Sequence, residues 1–282
     1  METLKNFSSQ LYENNKNVID VVYNYTINKF SNKYSFYTKN QKYDLRIIIT
    51  EIIYLLKTGI SYKNYRGPIN AKTLNTHVLF FTKHNIFKNA YSELFNKYTN
   101  KNQYSKFKYQ STDTSFILNK NGKQIINRNK YNKNKKCYKL SIITDKNGIP
   151  NSVIVEKGSK NDAKIGIQNI IHNNNKMKQI NNKIKPYMLA DKIYDTKEFR
   201  NVCNDANYTA IIGFNKRNTK NKKLIKQLTL QQKKIYNKRI KVENTFCLLK
   251  KYRRINIVYD SYYSTYCSFV FCALCIMINK YI

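Results

Sequence analysis

The sequence has few residues that break or cross-link a polypeptide. Its 282 residues include 7 Gly, 3 Pro, 6 Cys and no Trp. No Pro-rich or Gly-rich linker and no internal repeat divides the chain. One C-x2-C pair, Cys272 and Cys275, has no second pair, and the three histidines lie far from it. We therefore expect reduced thiols in a hydrophobic core rather than a disulfide framework or a zinc finger.

Acidic residues are also scarce. Asp and Glu number 16 against 52 Lys and Arg, which gives a net charge of +36. The hydrophobic share of 41% and the aromatic share of 14% exclude a disordered chain. Codons rich in A and T explain part of the Lys, Asn, Ile, Tyr and Phe content. The remaining excess of positive charge indicates a polyanionic partner, which means nucleic acid or an anionic membrane surface.

A long hydrophobic run is missing as well. The strongest run, Cys267 to Ile278, is too short to cross a membrane and predicts a buried C-terminal helix. No secretory signal is present at Met1 to Asn6. We expect a protein that has no membrane partner and is not secreted. Its compartment would be the bacterial cytoplasm or nucleoid, or the nucleus or viral factory of a eukaryotic or viral host.

The first hundred residues predict a small helical domain. Helices are expected at Asp44–Lys57, Ala71–Lys83 and Ala90–Tyr98. The second of these carries Lys72, Thr73 and Thr76 on its first turns. This layout is typical of a helix-turn-helix DNA reader, in which those three residues contact DNA. It is equally typical of two packed helices without a DNA role, and the pattern alone does not decide between them.

Residues 101–282 predict a second, α/β domain, because strands come first and then alternate with helices. Its turn at Asp145–Gly148 joins two of the strands into a hairpin. A lysine-dense stretch covers residues 216–234. The expected strands are Tyr109–Leu118, Cys137–Thr144, Val153–Val155, Tyr187–Ala190 and Tyr208–Phe214, and the expected helices are Asp162–Ile171, Thr196–Asn204 and about Ile235–Arg253.

Three carboxylates in this domain stand at unusual positions. Asp113 lies inside a predicted strand, Asp191 directly follows one, and Glu243 is on the long helix. Carboxylate oxygens are the ligands that Mg²⁺ prefers. Two such ions about 3.5–4 Å apart can activate a water or a 3′-hydroxyl for phosphoryl transfer. Each acid alone is more simply explained as a helix cap or as part of an ion pair.

The long helix carries a stripe of polar side chains beside its core face. At about 100° per residue, Tyr236, Arg239, Glu243 and Lys250 fall within about 60° of the helix circumference. A carboxylate for a metal ion, two cations for phosphates and a phenol suit a surface that faces DNA. The alternative is a solvated helix face on which Arg239 and Glu243 form an ordinary i,i+4 ion pair.

The spacing Y-x2-R-x3-E-x6-K, formed by Tyr236, Arg239, Glu243 and Lys250, resembles the signature of DDE-type insertion-sequence transposases in the broad grouping of families four and five. Residues 112–114 and 189–195 resemble the motifs around the first and second aspartates of that family. Lys139 to Pro150 is similar to the hairpin between them. The resemblance covers roughly residues 40–282, although Ile193 stands where the family usually has Gly, and Val258 where it usually has Arg.

The resemblance implies an RNase H-like mixed sheet flanked by helices and preceded by a small helical domain. Asp113, Asp191 and Glu243 would be the catalytic ligands of two Mg²⁺ ions, which Mn²⁺ can replace. The implied activity is strand cleavage at transposon ends and strand transfer into target DNA. The partners would be double-stranded DNA, as terminal inverted repeats and target, and a second copy in a homodimeric synaptic complex. The implied DNA contacts are Tyr236, Arg239, Lys250 and Lys139.

Two other interpretations stay open. One is a domesticated relative that binds specific DNA after its chemistry has lapsed, although an intact set of three acids argues against it. The other is an RNase H-like nuclease outside transposition, which has less use for the Tyr/Arg/Lys stripe.

Overall fold

The computed structural model describes residues 2–30, 42–100, 103–124, 127–129, 134–177, 185–215 and 227–282. The chain forms two compact units. The first, the helical unit, consists of Met1–Tyr98, Lys120–Gln124 and Leu249–Ile282, and the second, the sheet unit, consists of Thr99–Asn119 and Ile125–Leu248. The helical unit is therefore built from segments that are far apart in sequence. Within the predicted lysine-dense stretch, residues 216–226 lie outside the described residues.

In the described residues, the N-terminal part of the helical unit forms the helices α1 (Glu2–Phe30), α2 (Leu45–Thr58), α3 (Ala71–Lys83) and α4 (Ile86–Asn100). Helix α2 begins where the Asp44 side chain accepts a hydrogen bond from the Arg46 N–H at 2.7 Å. It ends at Gly59, whose φ of 65° suits a residue without a Cβ. The predicted second helix has the same bounds as α3. The predicted first helix is confirmed to within one residue at each end.

The sheet unit begins with mostly strand structure and continues with alternating helices and strands. In chain order its elements up to residue 212 are α5 (Gln103–Phe107), β1 (Tyr109–Asn119), β2 (Asn127–Asn129), β3 (Lys135–Thr144), β4 (Pro150–Lys157), α6 (Asp162–Met177), β5 (Tyr187–Ala190), α7 (Lys197–Asp205) and β6 (Thr209–Ile212). The predicted strands and helices of this region are all present, with ends that differ by a few residues.

The sheet is mixed. Strand β3 pairs antiparallel with β1, β2 and β4, and β1, β5 and β6 form parallel pairs in that order. The predicted turn joins β3 to β4, with the Gly148 N–H donating to the Asp145 carbonyl at 3.1 Å. An antiparallel hairpin followed by parallel strands that are reached through helices is the RNase H-like arrangement. The predicted fold class is confirmed.

Helix α6 packs on β1, β3 and β4, and α7 packs on α6 and on β6. Their apolar residues join those of the strands in one buried cluster, which includes Ile170, Met188, Phe199 and Ile212. Gly166 of α6 permits close contact here, because a Cβ at that position would lie 2.7 Å from the Tyr194 ring. This packing fixes the end of β5, where Asp191 follows.

The predicted long helix over about Ile235–Arg253 is wrong as a single element. The chain instead forms α8 (Leu230–Tyr236), a 3₁₀ turn at Asn237–Arg239 and α9 (Ile240–Lys250). No Gly or Pro marks the break, so it reflects tertiary contacts. Arg239 is bound to Asp113 of β1, and the Thr245 hydroxyl donates to the Gly148 carbonyl at 2.7 Å. These contacts override the local preference for a continuous helix.

The C-terminal segment contains α10 (Arg253–Asn256), β7 (Ile257–Val258) and α11 (Tyr263–Ile278). Helix α11 is buried on most sides and packs on α2 and α3 within the helical unit. Cys272 and Cys275 have no exposed surface, which confirms their predicted place in the core. None of the helices in the described ranges combines the length and the hydropathy needed to span a bilayer.

Candidate active site

Strands β1 and β5 bring Asp113 and Asp191 side by side. The two strands run parallel, and their register pairs Thr112 with Ala190. Asp113 is the next residue of β1, Asp191 is the first residue after the end of β5, and neighbouring strands lie about 4.8 Å apart. Asp191 also caps the 3₁₀ turn Lys192–Tyr194 by accepting a hydrogen bond from the Lys192 N–H at 2.7 Å. The predicted convergence of these two acids at one edge of the sheet is therefore what the register produces.

Arg239 connects this edge to Glu243. One of its terminal nitrogens lies 3.1 Å from Asp113 Oδ2, and the other donates to Glu243 Oε1. The side chains of Arg239, Asp113 and Glu243 are 17%, 24% and 41% exposed. These three residues and Asp191, which we call the acidic cluster, are therefore partly shielded from water. A guanidinium thus joins two of the three predicted acids across a sequence separation of more than a hundred residues.

Burial raises the pKa of Asp113 to about 6 from its ordinary value of 3.8. The Thr114 N–H and Arg239 favour the charged form and oppose this rise, whereas the charges of Asp191 and Glu243 add to it. Both of the other acids are therefore close enough to act on Asp113. A carboxyl with so strongly perturbed a pKa beside like charges is typical of a functional site.

A second layer of contacts holds β1 beside the acids. The Thr114 hydroxyl donates to Asp162 Oδ1 at 2.7 Å, and the Lys139 ammonium lies 2.7 Å from the same oxygen. Tyr194 is wholly buried, and burial raises the pKa of its phenol. Sequence reasoning did not assign Thr114, Asp162 or Tyr194 to the site. Their proximity to the aspartate motifs was the signal available in the sequence.

Two of the predicted DNA-contact residues of the sheet unit lie in different settings. The Tyr236 ring centroid is 5.8 Å from the Arg239 guanidinium, so this phenol belongs to the acidic cluster. Lys139 is only 5% exposed, and its ammonium also donates to the Lys160 carbonyl at 2.7 Å. The surroundings of Lys139 are those of a buried ion pair, and its contact with DNA stays a prediction.

The other predicted DNA-contact residues lie in the helical unit. Lys72 and Thr76 are exposed on α3, and Thr73 is half-buried between them. Residues 59–70 separate α2 from α3, a longer connection than the short turn that the helix-turn-helix interpretation assumes. Lys250 ends α9 and is half-buried. A DNA role for these four residues remains a prediction.

The resemblance implies that Asp113, Asp191 and Glu243 bind divalent metal ions, and their arrangement and chemistry test that expectation. In the described ranges, no group of three His, Cys, Asp or Glu side chains is arranged to hold a metal ion as the side chains stand. The chemistry of the donor set nevertheless fits, because Asp113, Asp191 and Glu243 offer only the hard oxygens that Mg²⁺ prefers. Arg239, itself a cation, already lies between Asp113 and Glu243, which indicates that this gap favours positive charge.

The fold is that of an RNase H-like protein, and two aspartates at the edge of its sheet and a glutamate on a following helix surround one arginine. The family comparison narrows this class. The family model described as "Transposase DDE domain" matches residues 105–278, and the chain belongs to that family. The narrower assignment to the Tyr-Arg-Glu-Lys group stays a prediction.

Two solved structures are remotely similar. One is titled "Crystal structure of the catalytic domain of Mos1 mariner transposase", with 12% identity over 60% of this chain and 89% of that one and a TM-score of 0.31. The other is titled "Mos1 transposase paired-end complex with left transposon end", with 14% identity over 61% of this chain and 59% of that one and a TM-score of 0.28. No curated protein matches this chain.

Proposed function

We propose that this transposase-family chain cleaves DNA strands at the ends of a transposable element and joins them to target DNA in a reaction that requires a divalent metal. The observation that carries the proposal is the electrostatic coupling of Asp113 to Asp191 and Glu243, with burial raising the pKa of Asp113 to about 6. An ion pair that only stabilises the fold needs one acid for one cation, whereas Arg239 interacts with three acids.

Asp113, Asp191 and Glu243 are the residues that would hold two Mg²⁺ ions, or Mn²⁺ in their place. When bound, such ions activate a water or a 3′-hydroxyl and stabilise the leaving oxygen. The remaining roles belong to the protein. Arg239 has a planar fork of donors for a phosphate, the Tyr236 ring centroid lies 5.8 Å from that guanidinium, and the net charge of +36 attracts the DNA backbone.

The reaction can be tested with the purified full chain and a duplex that carries candidate terminal inverted repeats from the DNA that flanks its gene. We expect strand nicks at the repeat ends in the presence of MgCl₂ and none in EDTA, read on a denaturing gel. Asp113→Asn, Asp191→Asn and Glu243→Gln should each abolish nicking while DNA binding persists. Asp205→Asn, which changes an exposed acid on α7, is the matched control and should cleave like the unaltered chain.

Each alternative has its own outcome in the same assay. Binding to the repeats without nicking in either metal would overturn the proposal in favour of a DNA-binding relative whose chemistry has lapsed. Nicking that is indifferent to the end sequence would favour a nuclease outside transposition. We further propose that two copies hold the two ends, so that the mass of the complex in light scattering should contain two chains.

A further inference from the structure

A second feature of the sheet unit is a basic pocket of about 710 Å³. Four lysines line it, and no Asp or Glu is among its lining residues. We call it the lysine pocket and define it by the residues used below: Lys108, Lys146, Lys238, Lys241, Tyr109 and Ser105. None of the residues assigned to DNA from the sequence belongs to it.

Among the described residues, ion pairs do not balance the charges of the pocket lysines. In the described part of the chain, no ion pair involves Lys108, Lys146, Lys238 or Lys241. Other lysines of the same unit do have acids, since Lys139 pairs with Asp162 and Lys160 with Glu156. Crowding four uncompensated cations into one concavity costs free energy, and an anionic ligand would offset that cost.

Specific contacts hold two of the ammonium groups in place. Lys238 Nζ lies 3.8 Å from the centroid of the Tyr109 ring, and this ring stacks on Tyr187 at 5.7 Å. Lys146 Nζ donates to the Ser105 hydroxyl at 3.1 Å. A lysine on a solvated surface keeps its rotamer freedom when it makes no such contacts, so ordering its side chain costs entropy. The supports therefore indicate a site built to present positive charge.

The position of the pocket relates it to the acidic cluster. Tyr109 and Asp113 are both on β1, and at about 3.3 Å per residue they lie roughly 13 Å apart along the strand. That separation equals the rise of about four nucleotides along one strand of DNA, at about 3.4 Å each. Lys238 and Lys241 flank Arg239 in sequence, so the same turn of chain contributes to both places.

We propose that the lysine pocket binds the phosphate backbone of duplex DNA about four base pairs from the phosphodiester that is cut. The inference rests on the proposed function, since it takes Asp113, Asp191 and Glu243 as the place of cleavage. Ammonium groups act as point charges toward phosphates, and contacts with phosphates carry no sequence information. The pocket therefore fixes the position of the duplex along its axis and is indifferent to sequence.

The binding part is tested in EDTA with the full chain, so that no cleavage is involved. A fluorescent random duplex is titrated over a range of KCl concentrations by anisotropy. Loss of two phosphate contacts should reduce the slope of log Kobs against log salt by about 1.8 in the Lys238→Ala/Lys241→Ala double variant. Tyr109→Leu should lower affinity in the same direction with every lysine intact, whereas Tyr109→Phe should not.

Lys164→Ala/Lys197→Ala is the matched control, since it removes the same charge from exposed positions of the sheet unit outside the pocket. Thermal melts verify that every variant is folded. A salt slope for the pocket variant equal to that of the control would overturn the proposal. An effect seen on duplex RNA and not on duplex DNA would overturn it as well.

The position along the duplex is tested by phosphate ethylation interference. We expect modified phosphates about four base pairs from the nick to block the unaltered chain and to lose that effect in the double variant. A chain that binds through the pocket but never cleaves would refute the proposed function and leave the pocket standing. Cleavage with an unchanged interference pattern in the double variant would refute the pocket alone.

Discussion

Two arginines of this chain bind carboxylates in contrasting ways. Arg254 donates two hydrogen bonds to Asp260, at 2.7 and 3.2 Å, and a third to the Ile60 carbonyl at 3.0 Å. Its side chain and that of Asp260 are only 3% and 4% exposed. Arg239, in the sheet unit, is shared between Asp113 and Glu243 at an edge that water reaches.

The difference between them is charge balance. In the helical unit one cation meets one anion, and the guanidinium also packs 4.6 Å from the Phe269 ring centroid. In the acidic cluster one cation meets two anions, with Asp191 close enough to raise the pKa of Asp113 further. The buried Arg254–Asp260 pair, which we call the sealed pair, has no net charge and stabilises the fold. The acidic cluster has more carboxylates than cations, in a chain of net charge +36, and is suited to a bound cation.

The largest effect on stability should follow from breaking the sealed pair. Asp260→Ala leaves Arg254 buried without its carboxylate, and we expect the free energy of unfolding to fall by about 3–5 kcal/mol. Urea denaturation of the full chain measures it. Glu93→Ala, which breaks the exposed Glu93–Lys97 pair, is the control and should cost less than about 1 kcal/mol. If Asp260→Ala lowered the free energy of unfolding as little as the control does, water would solvate Arg254 once its carboxylate is removed.

Removing an acid from the cluster should have the opposite sign. Because burial raises the pKa of Asp113 to about 6, the folded chain binds this proton more tightly than the unfolded chain. Its contribution to stability is therefore full below about pH 4 and is lost as the pH rises to about 6. Asp113→Asn should stabilise the metal-free chain at pH 7.5 by about 3 kcal/mol, since the pKa rises by about two units and one unit is worth about 1.4 kcal/mol.

Melting temperatures in EDTA between pH 4 and 8 test this sign. The unaltered chain should lose stability relative to the Asp113→Asn variant over the lower half of that range and run parallel to it above. Asp260→Asn provides the comparison and should destabilise throughout. If Asp113→Asn also destabilised the chain at pH 7.5, Asp113 would stabilise the fold through its ion pair in the same way as Asp260.

The smallest effect should come from Arg239→Gln. The metal-free variant loses a partly exposed cation, at a cost of about 1 kcal/mol. Added MgCl₂ should restore stability more than it does in the unaltered chain, because the ion no longer competes with a guanidinium. Arg200→Gln breaks the 2.7 Å pair with Asp195 and serves as the control, without a response to MgCl₂. The measurement is differential scanning fluorimetry with and without MgCl₂. If MgCl₂ stabilised Arg239→Gln no more than the unaltered chain, Arg239 would not compete with the metal ion.

Local patterns predicted most elements of the fold. Helix α3 and strand β5 begin and end where the sequence predicts, because side-chain caps and short apolar runs act within a few residues. The break at Asn237–Arg239 could not be predicted in this way, since it depends on β1 and on the β3–β4 turn. The start of α8 could have been, because Thr229 and Gln232 form a capping box.

The acidic cluster was accessible to sequence reasoning because its residue types are rare in this chain and stand in unusual positions. The lysine pocket was not, since lysine is common everywhere and the four that line it come from three separated segments. Lys139 illustrates the same limit. Its strand is buried on both faces over most of its length, and the alternation of residues gives no sign of that.

The interleaved units have a consequence for synthesis of the protein. The core of the helical unit includes α11, whose Cys275 thiol donates to the Phe87 carbonyl at 3.5 Å. A ribosome makes α1–α4 first but releases their missing partner only after the whole sheet unit has been translated. We therefore expect the sheet unit to acquire its native packing before the helical unit does, and the nascent helices to depend on chaperones during that delay.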